Sequence, residues 1–229
     1  MEFGNFYLNR VILELRYNDG FLYLDNCGAA LLEVRKKFPE WKWERTTTEL
    51  TVLKEKSKNM EFLFNSQNIR FIQNEVDNLN QFKKATASIT PIILEKIQIE
   101  EFSRVGNRFF YHLPLNNIDE GEKIIQKSRF VEIVPEKLGL FGDEPKKKAF
   151  TIYIENKGLQ YRIKLSTIER FESPKNVKIN EKFHPKYGLR IDVDIAIIKK
   201  VNVLDFFSDK FIQSNYKFLE NNLIKFVQK

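Results

Sequence analysis

From Leu189 to Ile197 an aliphatic side chain occupies every second position, at Leu189, Ile191, Val193, Ile195 and Ile197, with Arg190, Asp192 and Asp194 between them. A strand points successive side chains to opposite faces, so this segment needs a core on one side and polar surroundings on the other. Phe6–Tyr17 alternates in the same way, with Val11, Leu13, Leu15 and Tyr17 opposed to Arg10, Glu14 and Arg16. In Phe102–Leu115, Phe109, Tyr111 and Leu113 share a side. A parallel sheet covered on both faces would instead show unbroken apolar runs. Half-polar strands therefore predict mainly antiparallel sheets with helices packed on one face, an α+β protein.

The remaining elements fall around these strands. Asp25 is placed to cap a helix over about 25–38, in which Cys27, Ala30, Leu31, Val34 and Phe38 recur at helical spacing before Pro39. Two or three strands are expected near 48–55, 60–65 and 69–74. A helical pattern begins at Asp77, with Leu79, Phe82, Ala85, Ile89 and Ile93 on one face, and Pro91 should kink it or end it at Thr90. A short helix is expected at Asp119–Ser128, and a hairpin pairs 149–156 with 159–168 around Asn156-Lys157-Gly158, where glycine allows positive φ. A long C-terminal helix over about 203–227 carries Leu204, Phe207, Phe211, Asn215, Phe218, Leu219, Asn222, Leu223 and Phe226 at steps of three and four. Phe206 and Phe207 are adjacent and cannot both face the core. The order reads as two tandem β-α-β-β-β-α units, 1–100 and 101–229, as two halves or as one two-lobed domain.

Composition narrows the function classes. With 229 residues, 42% of them apolar, the chain can bury one large core or two small ones. Cys27 is the only cysteine and His112 and His184 the only histidines, so neither an intramolecular disulfide nor a zinc site of the usual ligands is expected. The sequence shows neither a membrane-length apolar run nor a secretory n-region, which predicts a cytoplasmic protein without membrane contact. The net charge is +7, and residues 137–200 alone hold 15 basic and 8 acidic residues. An electrostatic footprint, if used, lies there.

Within that footprint Lys146, Lys147, Lys148, Arg162, Lys164 and Arg190 form a candidate nucleic-acid-binding strip, Arg162 and Lys164 sharing a strand face with Gln160. Arg104 and Arg108, on either side of Gly106, are candidates for a cleft between the halves. Asp192 and Asp194 project from one strand face, yet no phosphate-cradling loop accompanies them, since Gly139 and Gly142 lack the Lys-Ser/Thr of a P-loop; no metal or cofactor is assigned. His184, near Lys186 and Tyr187, would suit acid–base chemistry only if the fold brought these groups together. His112, inside an apolar strand, reads as a hydrogen-bonded structural residue. No catalytic residue is assigned.

Several segments together resemble the prokaryotic family described only as "sporadically distributed". They are Val11–Tyr17, the Phe38-Pro39 helix stop, Phe102–Tyr111 with its Arg104-x-Gly106-x-Arg108-aromatic pattern, and Leu189–Asp194 before the final helix. Asn107 stands where that family usually has an apolar residue. The resemblance implies an accessory or defence-associated role and names no catalytic residue. The expectation is a non-enzymatic interaction module that binds a protein partner or nucleic acid. The alternatives are a two-lobed, metal-independent RNA-processing protein and a structural homodimer formed through the C-terminal helix.

Overall fold

The computed structural model describes residues 2–3, 6–18, 20–127, 149–169 and 187–228. Its first elements are β1 (Glu2–Phe3), β2 (Phe6–Arg16), α1 (Leu22–Lys37), β3 (Lys42–Thr46), β4 (Thr51–Glu55), β5 (Met60–Phe64), β6 (Asn68–Asn74) and α2 (Leu79–Ile97). They are followed by β7 (Glu101–Phe102), β8 (Arg104–Leu115), α3 (Ile118–Lys127), β9 (Ala149–Asn156), β10 (Leu159–Ile168), β11 (Tyr187–Ile197), β12 (Val201–Asn202) and α4 (Ser208–Gln228).

The protein is α+β. One ten-stranded antiparallel sheet runs β3-β4-β5-β6-β2-β8-β11-β10-β9, with β1 paired to β2, and β7 and β12 form a separate two-stranded ribbon. The sheet is continuous because β2 and β8 pair directly, Val11 opposite Phe109 and Leu15 opposite Val105. Those four side chains are fully buried and belong to one core with Leu13, Phe71, Ile191 and Val193. The alternation in the sequence thus sends one side chain in two to a single apolar face. There Tyr23, Ala30 and Val34 of α1, Phe82, Ile89 and Ile93 of α2, Ile125 of α3, and Ile212 and Leu219 of α4 close over it.

The hairpin of β9 and β10 turns at Lys157 and Gly158, both at positive φ (50° and 78°), the pair of values a two-residue turn of this hand needs. Among the described residues no helix is long and apolar enough to cross a membrane.

Four expectations about elements are corrected. First, α1 starts at Leu22, not Asp25, with Phe21 at the cap position and no side-chain cap. Tyr23 anchors that earlier start, its fully buried ring donating from its hydroxyl to the Thr47 carbonyl at 3.1 Å. Second, β3 was not anticipated. Every residue of it is exposed at the sheet edge, so it has no buried alternation to betray it.

Third, of the kink or the stop expected at Pro91, the stop at Thr90 does not occur, for α2 passes through Pro91 to Ile97. The missing amide at an interior proline costs about 3 kcal/mol, and burial of Ile92, Ile93, Leu94 and Ile97 beyond it offsets that loss. Fourth, α4 begins at Ser208, after a short 3-10 turn at Val203–Asp205. Its buried stripe is Ile212, Asn215, Tyr216, Leu219 and Leu223, whereas Leu204, Phe207 and Phe218 are 85%, 54% and 44% exposed. Of the adjacent pair, Phe206 packs edge-on against Phe102 and Phe207 stays outside under Lys210.

A charged sheet face as candidate anion-binding site

The face of the sheet opposite the helices is where the polar half of the alternation goes. On the five consecutive strands β6, β2, β8, β11 and β10 every charged residue lies on this side. The cations are Arg10, Arg16, Arg70, Arg104, Arg108, Arg162, Lys164 and Arg190, and the carboxylates are Glu14, Asp192 and Asp194. Five more cations than carboxylates share one surface. Of the sequence candidates, Arg104, Arg108, Arg162, Lys164 and Arg190 are therefore brought together on adjoining strands, although 86 residues separate the first from the last. Lys146, Lys147, Lys148, Gly139, Gly142 and His184 lie outside the described residues.

Cross-strand register dictates the pairing. Glu14 sits opposite Arg70 and next to Arg16, and it accepts from Arg16 Nε at 2.6 Å, Arg70 Nε at 3.0 Å and Arg104 Nη1 at 3.2 Å. Burial alone would raise its pKa, but the hydrogen bonds and charges of Arg70 and Arg16 outweigh that and hold the carboxyl below the ordinary range. Arg104 also reaches both oxygens of Asp194, at 3.0 and 2.9 Å. Arg108 donates to both oxygens of Asp192, which is buried, and this hydrogen bonding raises the Arg108 pKa. Arg162 stands 3.9 Å from each aspartate.

Asp192 and Asp194 are thus engaged by guanidinium groups. Arg104 and Arg108 bridge β8 to β11, and Arg104 also reaches β2.

The Arg104-x-Gly106-x-Arg108 pattern has a steric explanation. Gly106 lies on the charged face under the Arg104 guanidinium: a β-carbon there would sit 2.8 Å from Arg104 Cζ and 2.9 Å from Nη2. Its φ needs no glycine; the space above it does. Asn107 points the other way, into the core, where it is fully buried and donates from Nδ2 to the Ile12 carbonyl at 2.8 Å.

Two cations on this face are held differently. Arg190 donates from Nε to Nε2 of His112 at 3.2 Å. Burial, with the charge of Arg190, pushes the His112 pKa down to about 3, so the ring is neutral and carries its proton on Nδ1. His112 is thereby the structural residue expected from its place in the strand. Arg10 follows a β-bulge at Asn9, whose carbonyl accepts from the Glu75 amide at 2.7 Å, Glu75 being at φ 51°. The bulge lets Leu8 and Val11 both face the core while Arg10 joins the charged side.

Arg10 lies 6.0 Å from the centre of the Phe110 ring, which Arg108 approaches at 4.6 Å. Its Nε is buried without a hydrogen-bond partner. Burial lowers the Arg10 pKa, Glu61 opposes this, and the charges of Arg108, Arg190 and Arg70 lower it further. Sequence reading missed Arg10, His112 and Gly106 as members of this surface. The available signal was parity: Arg10, Glu14 and Arg16 already shared a face.

On the helical side, Leu94, Val203, Leu204 and Phe207 help line an open apolar cleft of about 460 Å³. No protein-family model matches the chain, and the search of curated proteins gives no match.

Proposed function

We propose that this chain is a non-enzymatic binding module whose charged sheet face takes the phosphate backbone of a nucleic acid. The observation that carries this reading is the excess of eight cations over three carboxylates on one face of five adjoining strands. Arg16 and Lys164 are among the exposed ones. Polyanion binding of this kind is driven by counterion release and needs no catalytic group. Among the described residues the one histidine is neutral and tied to Arg190, which supports binding over acid–base chemistry.

The same reading takes the two halves as tandem related units. β2, α1, β4 to β6 and α2 correspond in order to β8, α3, β9 to β11 and α4, with β2 and β8 side by side in the sheet. Following the family resemblance, we assign the module an accessory, defence-associated role.

The test is fluorescence anisotropy of a labelled single-stranded oligonucleotide over a sodium chloride series. Affinity should fall with salt, and the joint substitution Arg162→Glu and Lys164→Glu should weaken binding and flatten the slope of log affinity against log salt by about 0.7 per lost phosphate contact. Absence of binding at low salt, or an affinity indifferent to both salt and the substitutions, would refute the reading. Recovery of a stoichiometric protein without nucleic acid from the native host would favour a protein partner, and exposed Leu204 and Phe207 would then be substituted first.

A further inference from the structure

We propose that Arg10 and Arg190, straddling β8 at Phe110 and His112, form a discrete seat for one phosphate group. The seat deepens the backbone-binding reading by naming where a phosphate docks, and it can stand without it.

Two features point to an anion there, and a third places Arg10 on that face. Arg190 is oriented by a neutral acceptor: its Nε–H goes to His112, so its terminal nitrogens keep an uncancelled charge. Such a planar fork suits phosphate oxygens. Arg10 has a buried Nε with no partner, and neither arginine makes a direct ion pair with a carboxylate among the described residues, the charge of Glu61 reaching Arg10 only from a greater distance. An unpaired, partly buried cation among Arg70, Arg108 and Arg190 is costly in the free protein, and an anion would relieve it. Finally, the Asn9 bulge, secured by a left-handed Glu75, sets the face on which Arg10 emerges.

The registers connect the two arginines. Arg10 lies opposite Phe110 across β2–β8 and Arg190 opposite His112 across β8–β11. Two strand spacings and a two-residue offset along β8, about 12 Å in all, separate their backbones. Two long side chains leaning inward over β8 can share one phosphate across that gap. Lys164, opposite Asp192, extends the cationic line away from the seat toward β10.

The experiment uses the full chain with two probes, inorganic phosphate and a single-stranded oligonucleotide. Thermal unfolding is followed at rising phosphate against chloride of equal ionic strength, for the wild type, Arg10→Gln, Arg190→Gln and the control Lys36→Gln on α1. We expect phosphate to raise the midpoint of the wild type and the control. The two arginine variants should need about tenfold more phosphate or greater for the same rise, the loss of one charge-assisted hydrogen bond.

Without phosphate, Arg10→Gln should melt no lower than wild type, because it removes an unpartnered charge; a purely structural arginine would behave in the opposite way. Arg190→Lys keeps the test open if Arg190→Gln does not fold. No response beyond that to chloride in the wild type, or equal responses in all four proteins, overturns the seat. A phosphate response without oligonucleotide binding keeps the seat and removes the nucleic-acid reading, identifying a free phosphate compound as the ligand. Oligonucleotide binding that ignores Arg10 and Arg190 but needs Arg162 and Lys164 removes the seat and keeps the reading.

Discussion

Replacing Gly106 by alanine tests the logic of the charged face at one atom. The new methyl group would occupy space now held by the Arg104 guanidinium, 2.8 Å from its Cζ. Arg104 must swing away, giving up two hydrogen bonds to Asp194 and one to Glu14. With Arg104 and Asp194 side chains 20% and 18% exposed, the contacts are only partly screened. Asp194 would still have Arg162 at 3.9 Å, and Glu14 would keep Arg16 and Arg70, so no carboxylate is left bare.

The expected loss is therefore at the modest end for charge-assisted bonds, roughly 1–2 kcal/mol. Against it, alanine restricts the unfolded chain and contributes about 0.5–1 kcal/mol of stability where φ is ordinary. Gly106→Ala alone should thus destabilise by up to about 1.5 kcal/mol. In an Arg104→Ala background the clash is gone, and the same substitution should stabilise by about 0.5–1 kcal/mol.

The coupling between the two positions, roughly 1–2 kcal/mol, can be read from urea unfolding of the four proteins of the cycle, followed by tryptophan fluorescence. A coupling below about 0.5 kcal/mol would show that Gly106 is not there to make room for Arg104.

Other perturbations follow from the same geometry. His112 is held near a pKa of about 3, whereas the unfolded residue titrates near its usual 6.5, so the unfolded state takes up the extra proton between those values. Stability should be full above about pH 6.5 and decline on acidification, with a slope approaching about 1.4 kcal/mol per pH unit. Unfolding free energies from urea titrations between about pH 5.5 and 6.5, above the range in which unfolded carboxylates titrate, should fall on acidification in wild type and lose that dependence in His112→Gln. Pro91→Ala should stabilise the protein by roughly 1–3 kcal/mol in chemical unfolding by restoring an interior helix amide, since Pro91 itself is exposed. Leu204→Ser and Phe207→Ser should each change stability by less than about 0.5 kcal/mol, their side chains being mostly outside the core.

The C-terminal segment shows where local pattern stops being sufficient. Steps of three and four run through both Leu204–Phe207–Phe211 and Ile212–Tyr216–Leu219–Leu223, so periodicity marks a helix without choosing its buried side. Packing of Phe206 on Phe102 made that choice and turned Phe207 outward. Likewise β3 follows no pattern, because an exposed edge strand has no buried face to impose one. Asp25 reads as a cap, yet a tertiary hydrogen bond from Tyr23 moved the helix start upstream of it.

What the sequence by itself determined is the period-two alternation of Val11–Leu15, Phe109–Leu113 and Leu189–Ile197, and with it an α+β protein whose antiparallel strands have one apolar and one polar face. That information is local, since a strand needs no partner to separate its odd and even residues. Which charges meet was decided only by tertiary structure. Glu14, Arg70, Arg104 and Asp194 are distant in the chain and become neighbours through the order β6-β2-β8-β11. A hydrogen bond requires positions set to within tenths of an ångström, and those positions come from strand register and a bulge, which no single segment contains.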